Sequence, residues 1–446
     1  MNAEVPQREH ALTVLRRWNS FTPLLPTADA GPGGGYLLQV TGPKGPRGIV
    51  IDPGFDFLRN LQDSRHSMRD VHAVFMTHSH VDHMDDFEGL LTARFEGNEA
   101  ADDLGTGDKR HLDLFLSLDS FQKLAPLIEA QKSGVVGKAN IRTLAPGMTI
   151  KLDDYGVTVT VVGADHSPRQ PVNGGYEYKD DWLRHAVGLI VQTHDPRWTL
   201  GFTSDTRLLT DASIFPFGEC DILVAHLGTV SFPQLLSLAE LTTGPELDEL
   251  LEGLKSAGGR AFRGGVETTS LYALLKEPWQ KRSDFAFGHA FTEAVNGARR
   301  EDPRSGHLLF RGVYAMFENR KNRQPSDGRP WLGIISEFGL ELGSLRNNIA
   351  DALNHSLFNS RVGDSNGRLI TGDLGLRVTL GERLAVQCTA CWLPAEAMEI
   401  DARCIRHDQR IEYNHDTAAC RRAEFSRPTP LVHQPRLVDG RAELPF

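Results

Sequence analysis

Thr77-His78-Ser79-His80-Val81-Asp82-His83 follows directly on the run Val71-His72-Ala73-Val74-Phe75-Met76. That run has the length and apolar character of a buried strand bounded by polar residues. Four side chains able to ligate a metal therefore stand within six positions of a strand end. A helix would put His78 and Asp82 on one face and scatter the others. A tight loop can instead turn His78 and His80 toward one point and Asp82 and His83 toward a neighbouring one. Imidazole and carboxylate together suit zinc, with iron and manganese as the other candidates. A single loop histidine reads most simply as a solvated side chain, but four such groups in this pattern do not.

The stretch resembles the signature of the metallo-β-lactamase superfamily. The residues after it, Met84-Asp85-Asp86-Phe87-Glu88-Gly89-Leu90-Leu91, look like the helix that follows the signature in the ribonuclease Z and phosphodiesterase branch. The resemblance spans roughly residues 12 to 343. It implies an α/β chain with the four-layer αβ/βα fold and a dinuclear metal site.

Upstream of the signature, Leu12–Leu15, Tyr36–Val40 and Gly48–Ile51 read as strands, separated by the Gly/Pro-rich turns at 31–35 and 42–48. The meander ends in Asp52-Pro53-Gly54, where Asp52 is expected to fix the turn or to support a ligating histidine. Downstream, Phe87–Arg94 reads as a helix, Glu96–Lys109 as a polar loop, Leu112–Leu116 as a strand and Ser117–Gln131 as a helix. The β-branched run Val157–Val162 leads into Gly163-Ala164-Asp165-His166, where the superfamily supplies the third imidazole of its first metal position. Two further strands, Ala186–Val191 and Trp198–Phe202, lead into Thr203-Ser204-Asp205-Thr206. This turn resembles the Gly-Asp-Thr whose carboxylate bridges both metals, with Ser204 in place of the glycine.

The strand Asp221–Ala225 ends in His226. Ribonuclease Z-like proteins usually carry there a Glu that works with a nearby His in proton transfer. His226 is accordingly expected to act in the site as a proton donor or a contact to a bound oxyanion, and only secondarily as a ligand. Residues 231–305 are too long for a simple connection and read as a helical insertion. Ser305-Gly306-His307 then precedes a helical pattern, and the order of elements favours His307 over His226 as last ligand of the second position. Trp331–Phe338 reads as the closing strand.

The resemblance therefore implies a first metal held by His78, His80 and His166. The second would be held by Asp82, His83 and His307, with Asp205 shared and Asp82 also orienting the nucleophile. Two divalent ions are expected, zinc by preference, with Mn2+ or Fe2+ as alternatives. The reaction is expected to be water attack on a phosphodiester, either a small cyclic nucleotide or an RNA end. A lactone or thioester hydrolase on the same metals is one alternative. A metal-binding component of a multi-protein complex is another.

The 446 residues, 40% hydrophobic and 24% charged, fit a globular chain of one large domain and a smaller one. The formal charge of −10 argues against broad nucleic-acid binding and favours a small substrate. Arg16 and Arg17 could begin a local basic cleft. No stretch approaches a membrane span, and a cytoplasmic location is expected. A catalytic domain is assigned to 1–343 and a small accessory region to 344–446, with a homodimer or a protein partner expected to use 231–305 or 344–446. Four of five cysteines (Cys388, Cys391, Cys404 and Cys420) fall in that last region; one C-x-x-C pair reads as free thiols before it reads as a zinc site.

Overall fold

The computed structural model describes residues 9–16, 34–105, 110–135, 141–164, 166, 169–172, 175–178, 186–206, 216–227, 310–322, 331–337, 350, 353–354, 357–358, 368–372, 374–382, 384–387, 437–438 and 441–442. Two mixed sheets lie at its heart.

The first sheet begins with an antiparallel meander of β1 (His10–Val14), β2 (Tyr36–Gly42) and β3 (Gly45–Ile51). Beyond β3 the strands β4 (Ala73–Met76), β5 (Asp113–Ser117) and β6 (Ile141–Leu144) run parallel. All of β4 is buried, as expected of a parallel strand covered on both faces. The parallel strands are connected by helices, as such crossovers require: α1 (Phe57–Asp63), the single turn α2 (Val81–Met84), α3 (Phe87–Asp103) and α4 (Leu118–Val135). Phe57 and Leu61 of α1, Phe87, Leu90 and Leu91 of α3, and Leu124 and Ile128 of α4 pack against Leu37, Val50, Val74, Met76, Leu114 and Leu116 of the sheet. Helix α3 runs to Asp103, so the reading of Glu96–Lys109 as loop is corrected over its first half. Asn98, on that segment, is buried, accepts from Arg110 N at 2.9 Å and donates to its carbonyl at 2.9 Å.

The second sheet contains β7 (Thr149–Leu152), β8 (Val157–Ala164), β11 (Ala186–Thr193), β12 (Thr199–Phe202), β13 (Ile222–His226) and β14 (Leu332–Ser336). A separate hairpin, β9 (Arg169–Val172) with β10 (Gly175–Tyr178), lies between β8 and β11 in sequence. Strands β8 and β12 both run antiparallel to β11, and β13 and β14 continue parallel to β12. Four strands thus point the same way. Helix α5 (Phe310–Asn322) contributes Val313, Met316 and Phe317 to the core between and around the sheets. Every residue of β13 and β14 is buried.

One sequence boundary is corrected. Strand β15 (Leu369–Thr371) extends the second sheet beside β14, while β16 (Arg377–Leu380) and β17 (Leu384–Gln387) extend the first beside β1. These three strands, assigned from sequence to an accessory region, extend both sheets. Val378 and Leu380 supply the physical reason: both are fully buried in the same core as Leu12 and Val14. A short pair, β18 (Leu437–Val438) with β19 (Arg441–Ala442), follows. The segment 231–305 and the four C-terminal cysteines lie outside the described residues. Among the described residues no helix is long and apolar enough to cross a membrane.

Candidate metal centre

The carboxyl ends of parallel strands leave side chains at the crevice where ligands of α/β sheets bind, and this chain collects its polar residues there. Asp52 follows β3, Thr77–His83 follow β4, His166 follows β8, Thr203–Asp205 follow β12, His226 ends β13 and Glu337 follows β14. The two sheets are tied at this edge by Val187 N donating to the Thr77 carbonyl at 3.0 Å.

Three imidazoles form the first half of the centre. The ring centroids of His78, His80 and His166 stand 4.6–4.8 Å apart, each pair edge-on. His166 Nε2 and His80 Nδ1 face each other at 2.8 Å. Thr77 Oγ1 donates to Asp52 Oδ2 at 2.6 Å and accepts from Ser204 Oγ at 2.6 Å. It is left as the acceptor for His78 Nδ1 at 3.1 Å, which places the His78 proton on that nitrogen. His78 Nε2 is then a bare, buried lone pair with no hydrogen bond, 3.6 Å from Asp205 Oδ2. Burial, with the neighbouring His83, His166 and His80, holds the His78 pKa well below its ordinary value, so the ring is neutral. A neutral imidazole aimed at two more imidazoles and a carboxylate fits a divalent cation.

Asp205 joins the halves. Its Oδ2 lies 3.4 Å from His83 Nε2, 3.6 Å from His78 Nε2 and 3.8 Å from His166 Nε2. His83 is fixed from behind by Asp52, whose Oδ2 accepts from Nδ1 at 2.9 Å and whose Oδ1 accepts from Thr77 N at 2.7 Å. That arrangement turns Nε2 of His83 inward, as an outer carboxylate does for a ligating histidine. Burial disfavours the His83 cation, but Asp205, Asp82 and Asp52 outweigh burial and the opposing Arg16, and the pKa rises to about 9. Asp82 Oδ2 sits 3.7 Å from His83 Nε2 on a side chain 21% exposed. Asp82 and the exposed His80 form the open side of the centre.

Two groups of four ligand atoms lie within 4.8 Å of one another: His78, His80, His166 and Asp205, and then His83, Asp205, His226 and Glu337. The second contains a residue that sequence reasoning missed. Glu337 is fully buried; its Oε1 is 2.9 Å from His83 Nε2 and its Oε2 is 2.6 Å from His226 Nδ1. Its signal was faint: one carboxylate directly after the five-residue apolar strand β14.

His226, expected as a proton donor or oxyanion contact and secondarily as a ligand, stands among the ligand atoms of the second group. Its Nδ1 faces Asp205 Oδ1 at 3.1 Å as well as Glu337, and its Nε2 faces the Tyr36 hydroxyl at 2.9 Å. Both nitrogens are engaged inside the protein. Burial lowers the His226 pKa to about 4 against the hydrogen bond and charge of Asp205, so the ring is neutral. Tyr36 gives its proton to Ser336 Oγ, which makes Nε2 the donor to Tyr36 and leaves the Nδ1 lone pair beside Asp205 and Glu337. Arg16 forms no basic cleft. It is fully buried, ion-pairs through Nη1 with Glu337 Oε2, and donates to the carbonyls of Asp82 at 3.0 Å and Gly34 at 3.3 Å. His307 and Arg17 lie outside the described residues.

Two mixed sheets with helices, and a histidine–carboxylate cluster at the strand ends, define an α/β chain built to hold metal. Residues 47–254 match the family model described as Beta-lactamase superfamily domain, and the fold is the metallo-β-lactamase fold. Comparison with curated proteins gave no match. Among solved structures the chain is similar to the metallo-β-lactamase fold protein YhfI from Bacillus subtilis, at 13% identity over 84% of this chain and 100% of that one, TM-score 0.47. It is similar also to Zn2+-bound PqqB from Methylobacterium extorquens, at 14% over 82% and 99%, TM-score 0.46. A third likeness is to unliganded yeast PDE1, at 11% over 84% and 99%, TM-score 0.45. At these identities none of them says what this chain acts on.

Proposed function

We propose that the chain is a metal-dependent hydrolase that directs water at a phosphodiester across a two-position centre. The observation that carries this reading is the single oxygen Asp205 Oδ2 facing His78, His166 and His83 at 3.4–3.8 Å. His78, His80 and His166 would hold one ion and His83, with Asp82 at the open side, the other, Asp205 serving both. Divalent ions in such a pair act as Lewis acids and lower the pKa of water from ~15.7 toward ~7.

The chain's own residues do the remaining work. Asp52 and Thr77 hold a proton on the outer nitrogen of His83 and His78, so the inner nitrogens would be the ligand atoms, His83 giving up its Nε2 proton as an ion enters. His226 turns its Nδ1 lone pair to the same space, 3.1 Å from Asp205 Oδ1. The part-exposed Asp82 carboxylate can accept a hydrogen bond from the attacking water and orient it toward substrate entering past His80. Phosphodiester attack suits this arrangement because charge develops on both the attacking and the leaving oxygen, and two adjacent cationic positions stabilise both. The acidic chain, at −10, supports a small diester over long RNA.

The test is hydrolysis of bis(p-nitrophenyl) phosphate by metal-analysed protein, with an aryl ester and a lactone in parallel. Diester cleavage that is lost with chelator and restored by zinc or manganese supports the proposal. Turnover of the ester or lactone alone would replace it with acyl hydrolysis.

A further inference from the structure

The two halves of the centre offer different donors. The first presents three imidazoles and one carboxylate. The second presents His83 with two buried carboxylates, Asp205 and Glu337, and a third, Asp82, 3.7 Å from His83 Nε2. His226 adds a second nitrogen there. Tyr36 gives its proton to Ser336 Oγ, so Nε2 of His226 is the donor to Tyr36 and Nδ1 turns its lone pair toward Asp205 and Glu337, which leaves two imidazoles against three carboxylates in this half. Imidazole-rich sites suit zinc, whereas carboxylate-rich sites suit manganese and magnesium.

Glu337 is held as a ligand would be. Its Oε2 is paired with the Arg16 guanidinium, which leaves Oε1 directed at His83 Nε2 at 2.9 Å. Arg16 is itself pinned by the carbonyls of Gly34 and Asp82, so the carboxylate cannot swing away. His226 is kept in register by Tyr36, whose hydroxyl also lies 2.9 Å from Ser336 Oγ, next to Glu337 in sequence. The bare Nε2 of His78 points into the same space from the other side of Asp205.

We infer that Glu337 is a ligand of the second metal position, where it does the work that element order assigns to His307, and that this makes the centre heterometallic in preference: zinc among the three histidines, and an oxygen-preferring divalent ion such as Mn2+ at His83, Asp205 and Glu337. The inference rests on the two-position reading above and gives it a chemical asymmetry.

The test uses the full chain, cleared of metal by chelator and dialysed against two equivalents of Zn2+ with excess Mn2+. Elemental analysis counts both metals, and electron paramagnetic resonance reads protein-bound Mn2+. The expected result is one zinc and one manganese per chain. In Glu337→Gln the zinc stays and Mn2+ affinity falls by at least the roughly 10–100-fold that loss of an outer partner costs a metal site. Because Gln leaves Arg16 without its anion, Glu337→Asp is measured beside it; that variant keeps the charge but withdraws the donor oxygen, and the same loss of Mn2+ is expected. Wild-type Mn2+ affinity in both variants would overturn the inference, as would a wild-type chain that fills both positions with zinc while excess Mn2+ stays out. A wild-type chain that holds a single ion of either kind would overturn the two-position reading, and the inference with it.

Discussion

Asp52→Asn isolates one electrostatic task with little disturbance of shape. Asp52 sits at φ 52°, a left-handed conformation that Asn tolerates as well as Asp. Its carboxylate accepts three hydrogen bonds: Thr77 N at 2.7 Å, Thr77 Oγ1 at 2.6 Å and His83 Nδ1 at 2.9 Å. An amide can keep its oxygen on Thr77 N and aim its NH2 at His83, but Thr77 Oγ1, already the acceptor for Ser204 and His78, then loses the acceptor for its own proton. The NH2 bonds His83 only if Nδ1 becomes an acceptor, which strips the Nδ1 proton and leaves the ring protonated on Nε2, the atom that faces Asp205 and Glu337. Charge-assisted bonds exceed neutral ones by about 1 kcal/mol each, so three of them set a stability loss of about 1–3 kcal/mol once the relief of burying an amide instead of a charge is allowed for. The metal effect is larger in kind: loss of such an outer partner costs ~10–100-fold in affinity, which corresponds to about 1.4–2.7 kcal/mol. Chelator competition on folded protein, with a thermal melt alongside, separates the two quantities. An Asp52→Asn protein that melts within a few degrees of wild type and holds its second ion as tightly would refute the tautomer argument.

Three further outcomes are expected. Ser204 occupies φ 55° and donates to Thr77 Oγ1 at 2.6 Å; Ser204→Gly trades about 1 kcal/mol of backbone relief for a hydrogen bond of similar worth, whereas Ser204→Ala loses the bond and keeps the strain. Denaturant melts should therefore rank Gly near wild type and Ala about 1–2 kcal/mol lower, and the reverse order would contradict the geometry. A β-carbon on Gly54 would stand 1.8 Å from the Asp82 carbonyl oxygen, so Gly54→Ala should displace Asp82 and Arg16's grip on it, with weaker metal retention in equilibrium dialysis against chelator. Burial lowers His66 and His72 to about 4 each, below the unfolded value of 6.5. The unfolded chain then binds protons first as pH falls, so their contribution is full above about 6.5 and is lost as pH drops through about 4. Replacing both with Gln should flatten the fall in melting temperature over that window, and an unchanged slope would remove them as its cause.

The parts of the fold legible in sequence are those whose cause is local. Strand β4 and the signature are contiguous, so a buried run followed by His78, His80, Asp82 and His83 announces a strand end with a cluster of candidate ligands. His166 and Asp205 were readable for the same reason, each directly after an apolar strand. Glu337 was not, because its meaning comes from the parallel register that sets His226 opposite Ser336 and brings the next residue over His83. Arg16 read as a surface charge because nothing near it in sequence reveals an acid 321 positions away. The closing strands β15 to β17 are three or four residues long and owe their place to partners at Val14's end of the chain and beside β14. Residues 95–103 form a helix whose polar sequence hides it; the buried Asn98 anchors it by bonding Arg110 across the turn.

The central claim is that Asp205 stands between two cations. Anomalous diffraction from crystals of metal-replete protein, recorded at the zinc and manganese edges, tests it most directly. Two peaks are expected, one among His78, His80 and His166 and one beside His83 and Glu337, with Asp205 Oδ2 between them. A single peak confined to the three histidines, in protein that still cleaves a diester, would contradict the claim.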